Sequence, residues 1–357
     1  MIMAYNKNYK ELKRADGTYS KKGFIARAFQ LWSIQSFRRF KHKYFPNCNF
    51  IWSIRLFLDA IWCSIRYGAI YDDYFEYRLW EKSHYARNLY VTKGRSRKIQ
   101  GIFNSSGNAE FTYNKQLFNK EYARFRTVQD YTFPGDIESF KKFVQDSNYK
   151  IIAKPKFGSS GQGIFVPDVT TDAQIADVYA KLSNDNAYFC EEFFRQTGPL
   201  GEVNPTSVNT LRLVTLNDSK DIHIMAAFVR FGGKGAVVDN FHSSGFGCEV
   251  DINSGIIVSG GIDIDGNKIY FHPASNKLVL GIQIPQWDKV LNIVKEAAMV
   301  HPEIGFTGWD FAISENQICI IEANEQPNFG IQARIGHGVL PEYEKIIKLR
   351  KVYLSTK

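Results

Sequence analysis

The alternation of apolar and polar positions is sharpest near the C-terminus. Gly308-Trp309-Asp310-Phe311-Ala312-Ile313 and Cys319-Ile320-Ile321-Glu322-Ala323-Asn324-Glu325-Gln326-Pro327 are joined by the polar stretch Ser314-Glu315-Asn316-Gln317. Two apolar runs around a short polar turn predict a β-hairpin. Upstream, Tyr149-Lys150-Ile151-Ile152-Ala153-Lys154 and Ile164-Phe165-Val166 read as short strands. They flank Pro155-Lys156-Phe157-Gly158-Ser159-Ser160-Gly161-Gln162-Gly163, whose small residues predict the tip of a second hairpin. Tyr188-Phe189-Cys190-Glu191-Glu192-Phe193-Phe194 reads as a strand ending in two acids, and Leu211-Arg212-Leu213-Val214-Thr215-Leu216 as a strand in which Arg212 alternates with apolar neighbours. Helical signals are fewer. Asn49–Gly68 is an apolar helix interrupted by Arg55, Asp59 and Arg66, a poor membrane span. Asp136 is placed to cap a helix over Ile137–Asp146, and another helix follows Pro285-Gln286-Trp287-Asp288. The polar stretch Asn104-Ser105-Ser106-Gly107-Asn108 marks a boundary. The resulting division is 1–108, 109–200 and 201–357.

Several of these elements carry chemistry. Asp310 and Glu322 are twelve residues apart and face each other across the hairpin if its loop has an odd number of residues. Asn324 then shares the face of Glu322. Three oxygen donors on one face suit a hard cation such as Mg²⁺, and the mutual repulsion of two opposed carboxylates itself argues for one. The Gly/Ser loop lets backbone N–H groups approach an anion, with Lys154 and Lys156 supplying positive charge. The spacing G-x-x-x-x-G-K-[ST] is absent and no helix follows the glycines, so neither a P-loop nor a dinucleotide fingerprint is present. The glycine-rich segment Phe231–Gly247 reads either as a connecting loop or as part of an acceptor pocket lined by Asp239, Asn240 and His242. Seven histidines show no zinc spacing, and His272 and His337 read as structural or surface residues.

The order of these features is a Lys-Pro strand with a Gly/Ser loop, a Glu-Glu hinge, an Arg-bearing strand and an Asp…Glu-x-Asn hairpin. In that order the chain resembles the ATP-grasp superfamily over about residues 114–335. Pro205-Thr206-Ser207-Val208-Asn209-Thr210-Leu211-Arg212, Val238-Asp239-Asn240-Phe241 and Gly308-Trp309-Asp310 resemble its sugar-transfer-associated branch. The resemblance implies an α+β fold in which two β-rich lobes sandwich ATP. It implies that Lys115 and Lys154 contact phosphates and that the loop with Gly158, Ser159, Ser160, Gly161 and Gly163 closes over them. Glu191 and Glu192 would hold adenine and ribose. Asp310, Glu322 and Asn324 would hold two Mg²⁺ ions, with Glu322 bridging. Arg212 and Arg230 would stabilise an oxyanion, and Asn209, Asp239, Asn240 and His242 would meet the substrate. The activity implied is an ATP-dependent carboxylate–amine ligase working through an acyl phosphate. Its setting would be capsule or other bacterial surface polysaccharide biosynthesis, with an amide formed between a uronic acid and an amino acid or amine. A kinase for a sugar or lipid-linked hydroxyl, and a nucleotide-binding scaffold for glycosyltransferases, are the alternatives. None of these steps requires a protein nucleophile, so the lack of a Ser-His-Asp or Cys-His constellation is no objection.

Composition adds a contrast between the two ends of the chain. At 357 residues and 44% hydrophobic content, two or three packed subdomains are expected. Five cysteines, an odd number without a C-x-x-C pair, read as buried thiols in a reducing compartment. Residues 1–30 show no secretory hydrophobic region, so a cytoplasmic location is expected. Residues 1–110 hold 20 Lys+Arg against 8 Asp+Glu, whereas the remainder holds 25 against 28. The whole basic excess therefore belongs to an aromatic-rich, mainly helical N-terminal region. Three readings of it stand side by side. They are a helical subdomain packed on the catalytic lobes, a surface for peripheral contact with the anionic inner membrane face or polysaccharide-assembly enzymes, and a site for an acidic substrate such as a nucleotide sugar, lipid diphosphate or acidic glycan. No nucleic-acid module accompanies the charge, so no nucleic-acid partner is expected. Many ATP-grasp enzymes begin with a small doubly wound α/β unit, but no βαβ alternation is visible here.

Overall fold

The computed structural model describes residues 34–104, 109–158, 162–184, 187–233, 245–262 and 267–355. Two compact units make up the chain. The first runs to Lys98 and takes in Gly336–Leu340; the second holds Ile99–Ile335 and Pro341–Lys357. The division thus falls inside a helix, just upstream of the polar stretch 104–108.

The described part of the first unit is helical, with α1 (Ile34–Tyr44), α2 (Phe50–Tyr67), α3 (Tyr71–Glu76), α4 (His84–Asn88) and the start of α5 (Lys93–Phe103). Helix α2 is defined at both ends. The Asn49 side chain accepts a hydrogen bond from the Trp52 N–H at 2.8 Å, and Gly68, at φ 69°, closes the C-terminus with its N–H on the carbonyls of Cys63 and Ser64. Leu56, Ala60, Cys63 and Tyr67 form its buried face. Around them lies an aromatic cluster in which the Phe37 ring is 5.1 Å from Phe57 and 5.9 Å from Phe75. Asp59 is fixed by both guanidinium nitrogens of Arg87, at 2.7 and 2.9 Å, and by the Tyr74 hydroxyl at 2.8 Å. Among the described residues no helix is long and apolar enough to cross a membrane.

The second unit contains α6 (Lys115–Glu121), α7 (Ile137–Asp146), α8 (Asp172–Ser183), α9 (Gly198–Val203), α10 (Trp287–Ala298), α11 (Ile331–Ile335) and most of α12 (Leu340–Ser355). Its strands form two antiparallel sheets. The smaller, in the order β1 (Asp130–Thr132), β3 (Tyr188–Glu192), β2 (Ile151–Pro155), packs Ile151, Ala153 and Cys190 against Phe140 and Val144 of α7 and Ile175 and Leu182 of α8. Asp136 caps α7, accepting the Ser139 N–H at 2.9 Å. The expected return strand at 164–166 is reduced to one bridge, Phe165 to Ala153. Pro167 has no N–H with which to extend the ladder.

The larger sheet has the order β10 (Ile318–Asn324), β9 (Phe306–Ile313), β4 (Thr210–Asn217), β5 (Ile222–Phe231), β6 (Phe246–Glu249), β7 (Gly261–Ile262), β8 (Lys268–Ile269). Period-two alternation gives it two unlike faces. Leu211, Leu213, Ala227, Val229, Trp309 and Phe311 join Val290, Val294 and Ala297 of α10 in the main core. The opposite face carries the polar residues described next. All five cysteines are free, and four of them are buried. Burial pushes the thiols of Cys63, Cys190 and Cys248 up to about 12, which makes them inert.

Candidate cation and phosphate site

The hairpin loop has four residues between the paired Ile313 and Ile318, an even number. A straight ladder from that turn would set Asp310 opposite Ile321 and turn Glu322 into the core beside Ile320. The expected odd loop is therefore not what pairs the two acids. A β-bulge at Ile321 supplies the extra residue instead, so that Glu322 pairs with Asp310 and Asn324 with Gly308. The bulge switches the parity of β10: Ile318 and Ile320 face the main core before it, and Ala323 faces that core after it. Glu322 and Asn324 are left on the polar face, where the Asn324 amide donates to Glu322 Oε1 at 3.1 Å.

Strand β4 brings Arg212 directly opposite Asp310. Its Nε contacts Asp310 Oδ1 and its Nη2 lies 2.6 Å from Oδ2. From β5, Arg230 Nη2 reaches the same Oδ2 at 2.8 Å while donating to Thr210 Oγ1 at 2.7 Å. Burial alone would raise the Asp310 pKa; the two guanidiniums outweigh it and hold the carboxyl below its ordinary range. Glu322 is less well compensated. Arg212 is 3.9 Å away, and burial followed by the Asp310 charge pushes the Glu322 pKa up. The repulsion expected between opposed carboxylates is thus met at Asp310 by arginines and left largely unmet at Glu322. Both arginines, placed by resemblance at an oxyanion, are counter-ions of Asp310 here.

The donor set fits a hard divalent cation. It consists of oxygens only, and one carboxylate is incompletely neutralised. Among the described residues no three His, Cys, Asp or Glu side chains converge on a metal position; this set has two carboxylates and an amide.

Lys115 lies at the start of α6, behind the Asn114 cap. Its N–H donates to Lys156 O at 3.0 Å and its Nζ to Gly158 O at 2.8 Å, which ties the helix to the base of the Gly/Ser loop. Burial lowers the Lys115 pKa, and the charges of Glu322, Lys154 and Glu191 all act on it. The ammonium therefore sits within electrostatic reach of both hairpin and hinge. Gly158 and Gly163, at φ 133° and 76°, occupy backbone conformations that favour glycine. Ser159, Ser160, Gly161, Asp239, Asn240 and His242 lie outside the described residues.

Glu191 is buried and both its oxygens are engaged. Lys154 Nζ contacts Oε2, and Arg126 Nη2 and Asn119 Nδ2 each lie 2.8 Å from Oε1. Burial opposes ionisation, but Lys154 and Arg126 override it and bring the carboxyl down to about 2. Glu191 thus anchors Lys154. Glu192, its half-buried neighbour, falls on the other face of β3. Arg126 escaped sequence reasoning because nothing in Arg124-Phe125-Arg126 has a motif's spacing. It also donates to Ile320 O at 2.9 Å, joining the hinge strand to β10. Asn209 immediately precedes β4. It is fully buried, and its amide donates to Gln196 Oε1, Leu200 O and Asn204 O, so it braces the entry to β4. His272 is buried with its ring on Gly232 O at 2.9 Å, and His337 is exposed.

Among solved structures, the chain is similar to the ATP-grasp ligase PsnB bound to a phosphomimetic variant of minimal precursor, Mg and ADP. Identity is 15%, the TM-score is 0.41, and the match covers 70% of this chain and 61% of that one. A biotin carboxylase from Campylobacter jejuni matches at 13% identity and a TM-score of 0.43, over 70% of this chain and 48% of that one. D-alanyl-alanine synthetase A from Vibrio cholerae matches at 14% and 0.42, over 68% and 66%. The chain therefore spans about three fifths of the length of PsnB. No curated protein matches its sequence. The model of the family described as sugar-transfer associated ATP-grasp matches residues 111–348, which takes in both sheets, the Lys115 helix and the Asp310–Glu322 hairpin. With two thirds of its length accounted for in this way, the chain belongs to the sugar-transfer associated ATP-grasp family.

Proposed function

We propose that the protein is an ATP-dependent carboxylate–amine ligase acting in bacterial surface polysaccharide biosynthesis, joining a uronic acid carboxylate to an amino acid or amine. The observation that carries this reading is the placement of Asp310, Glu322 and Asn324 on one sheet face, within electrostatic reach of Lys115, in a chain of this family. Bound ATP and Mg²⁺ would supply a phosphoryl donor and offset the charge on it.

The chain's own residues have distinct tasks in this scheme. Asp310, Glu322 and Asn324 offer oxygens to the cation. Lys115 and Lys154 offer ammonium groups to the phosphates, with Glu191 orienting Lys154 from behind. Arg212 and Arg230 hold the substrate carboxylate. A guanidinium has five N–H donors, and Arg212 meets Asp310 through Nε and Nη2, which leaves its Nη1 for a second anion. In the first step a carboxylate oxygen of the substrate attacks the γ-phosphorus and ADP leaves. In the second, the amine nitrogen attacks the acyl carbon, phosphate leaves, and the nitrogen loses a proton. The arginines stabilise the tetrahedral oxyanion between these events.

The test is ADP release with Mg²⁺ and ATP against uronic acids, nucleotide-activated uronic acids and amino acids, with Glu322→Gln as control. Release that needs both a carboxylate and an amine and is lost in the variant is the expected result. Release driven by a hydroxyl acceptor alone would replace the ligase with a kinase.

A further inference from the structure

Helix α2 has an unusual distribution of exposure. Phe50 and Ile51 are each 79% exposed, Leu58 60%, Trp62 53% and Ile65 76%, with Ile54 at 44%. At 100° per residue these six side chains fall within one arc of about 120°. The opposite arc is already used, since Leu56, Ala60, Cys63 and Tyr67 are buried in the unit's own core. The exposed stripe is therefore not the back of a helix awaiting its core; it is a second apolar face. Six large apolar side chains along an 18-residue helix are far more than scattered surface exposure.

The borders of the stripe are basic. Arg55 and Arg66, both exposed, follow Trp62 around the helix on one side. On the other side Phe57 packs on Phe37, which brings α1 alongside with exposed Arg38, Arg39 and Lys43. Asp59 is the helix's one acid, and Arg87 and Tyr74 hold it in place. An apolar strip with cationic edges complements a surface that is apolar within and anionic at its margin. A second copy of the chain fits less well, because an isologous contact would set the same basic borders against each other.

We propose that the exposed face of α2 is an in-plane docking surface for an anionic lipid bilayer. Phe50, Ile51, Ile54, Leu58, Trp62 and Ile65 enter the acyl boundary, and Arg55, Arg66 and the basic residues of α1 meet the headgroups. The helix lies along the membrane and does not cross it, because its other face stays packed in the protein. The inference is independent of the reaction proposed above.

The test is flotation of the full chain with vesicles of three parts phosphatidylcholine to one part phosphatidylglycerol, compared with pure phosphatidylcholine and with 0.5 M salt. Binding to the anionic vesicles is expected, weakened by at least tenfold in salt and in Leu58→Asp/Ile65→Asp. Both of these positions are exposed, so the far-ultraviolet circular dichroism of the variant is expected to match the parent. Quenching of tryptophan fluorescence by brominated lipid, largely lost in Trp62→Phe, gives the same answer without a charge change. No binding by the intact chain would overturn the proposal. So would binding that survives the double substitution, or a stable dimer that the double substitution splits, which would assign the face to a second copy.

Discussion

The carboxylates of Asp310 and Glu322 share one rung of the hairpin, yet only Asp310 has a full set of counter-charges. The two substitutions that remove these charges are therefore expected to diverge when no nucleotide is present. Asp310→Asn takes away the carboxylate that Arg212 and Arg230 share and is expected to cost about 3–5 kcal/mol in urea unfolding. Glu322→Gln removes a group whose ionised form the fold disfavours, and is expected to leave stability unchanged within about 0.5 kcal/mol or to raise it. Equal destabilisation by both would show that the arginines do not single out Asp310. Glu191 gives a pH signature of its own. Its pKa lies well below the ordinary value in the folded chain, so the unfolded chain binds more protons between roughly pH 4.5 and 2. Its contribution, about 3 kcal/mol for a shift of this size, is fully present above that window and lost as pH falls through it. Replacement by Gln should flatten the acid limb of the stability curve; an unchanged limb would mean that the Lys154–Glu191–Arg126 ion pairs do not form.

At the scale of elements, the bulge at Ile321 decides which face of β10 carries chemistry. Deleting Ile321 removes the extra residue and is expected to give a straight ladder in which Glu322 follows Ile320 directly and still faces Asp310, at a cost of about 1–2 kcal/mol for the lost Ile321 packing. Magnesium-dependent ADP release is therefore expected to survive the deletion; its loss would show that the bulge sets more of the site's geometry than the parity of β10. The bulge also shows where sequence reading stopped. Asp310, Glu322 and Asn324 were legible as a set because hairpin strands alternate and their oxygens share a chemistry. The way they come together was not, because an even loop and a one-residue irregularity are indistinguishable from an odd loop when only the separation of two acids is known. The strands around Lys154, Glu191 and Arg212 were readable from alternation, and helix α7 from its Asp136 cap, since these are local effects. Arg126 and the counter-ion role of Arg212 and Arg230 depend on pairings 65 to 194 residues apart along the chain, as in Arg126 to Glu191 and to Ile320, for which a single sequence holds no signal. The apolar character of α2 was visible, but not that one of its faces is left exposed, because an apolar helix reads the same whether its second face is covered or bare.

Across the whole molecule, charge and chemistry are segregated. The basic excess and the exposed stripe of α2 belong to the first compact unit; the acidic hairpin and both lysines belong to the second. Each unit has its own core, so each proposed ligand is expected to protect its own backbone amides. Hydrogen exchange read peptide by peptide separates them. ADP with Mg²⁺ at a hundred times its dissociation constant lends its binding unit about 2.7 kcal/mol, a hundredfold slowing for amides that exchange by opening of that unit. That slowing is expected in β4, β9 and β10, with α2 unaffected. Vesicles containing phosphatidylglycerol are expected to slow exchange in α2 and leave the hairpin unchanged. If nucleotide alone slowed α2 as much as the hairpin, the two units would be energetically coupled and the bilayer-facing stripe could not be treated as a separate device. If nucleotide slowed neither, the oxygen donors of Asp310, Glu322 and Asn324 would not be a nucleotide–metal site, and the ligase reading would fall with them.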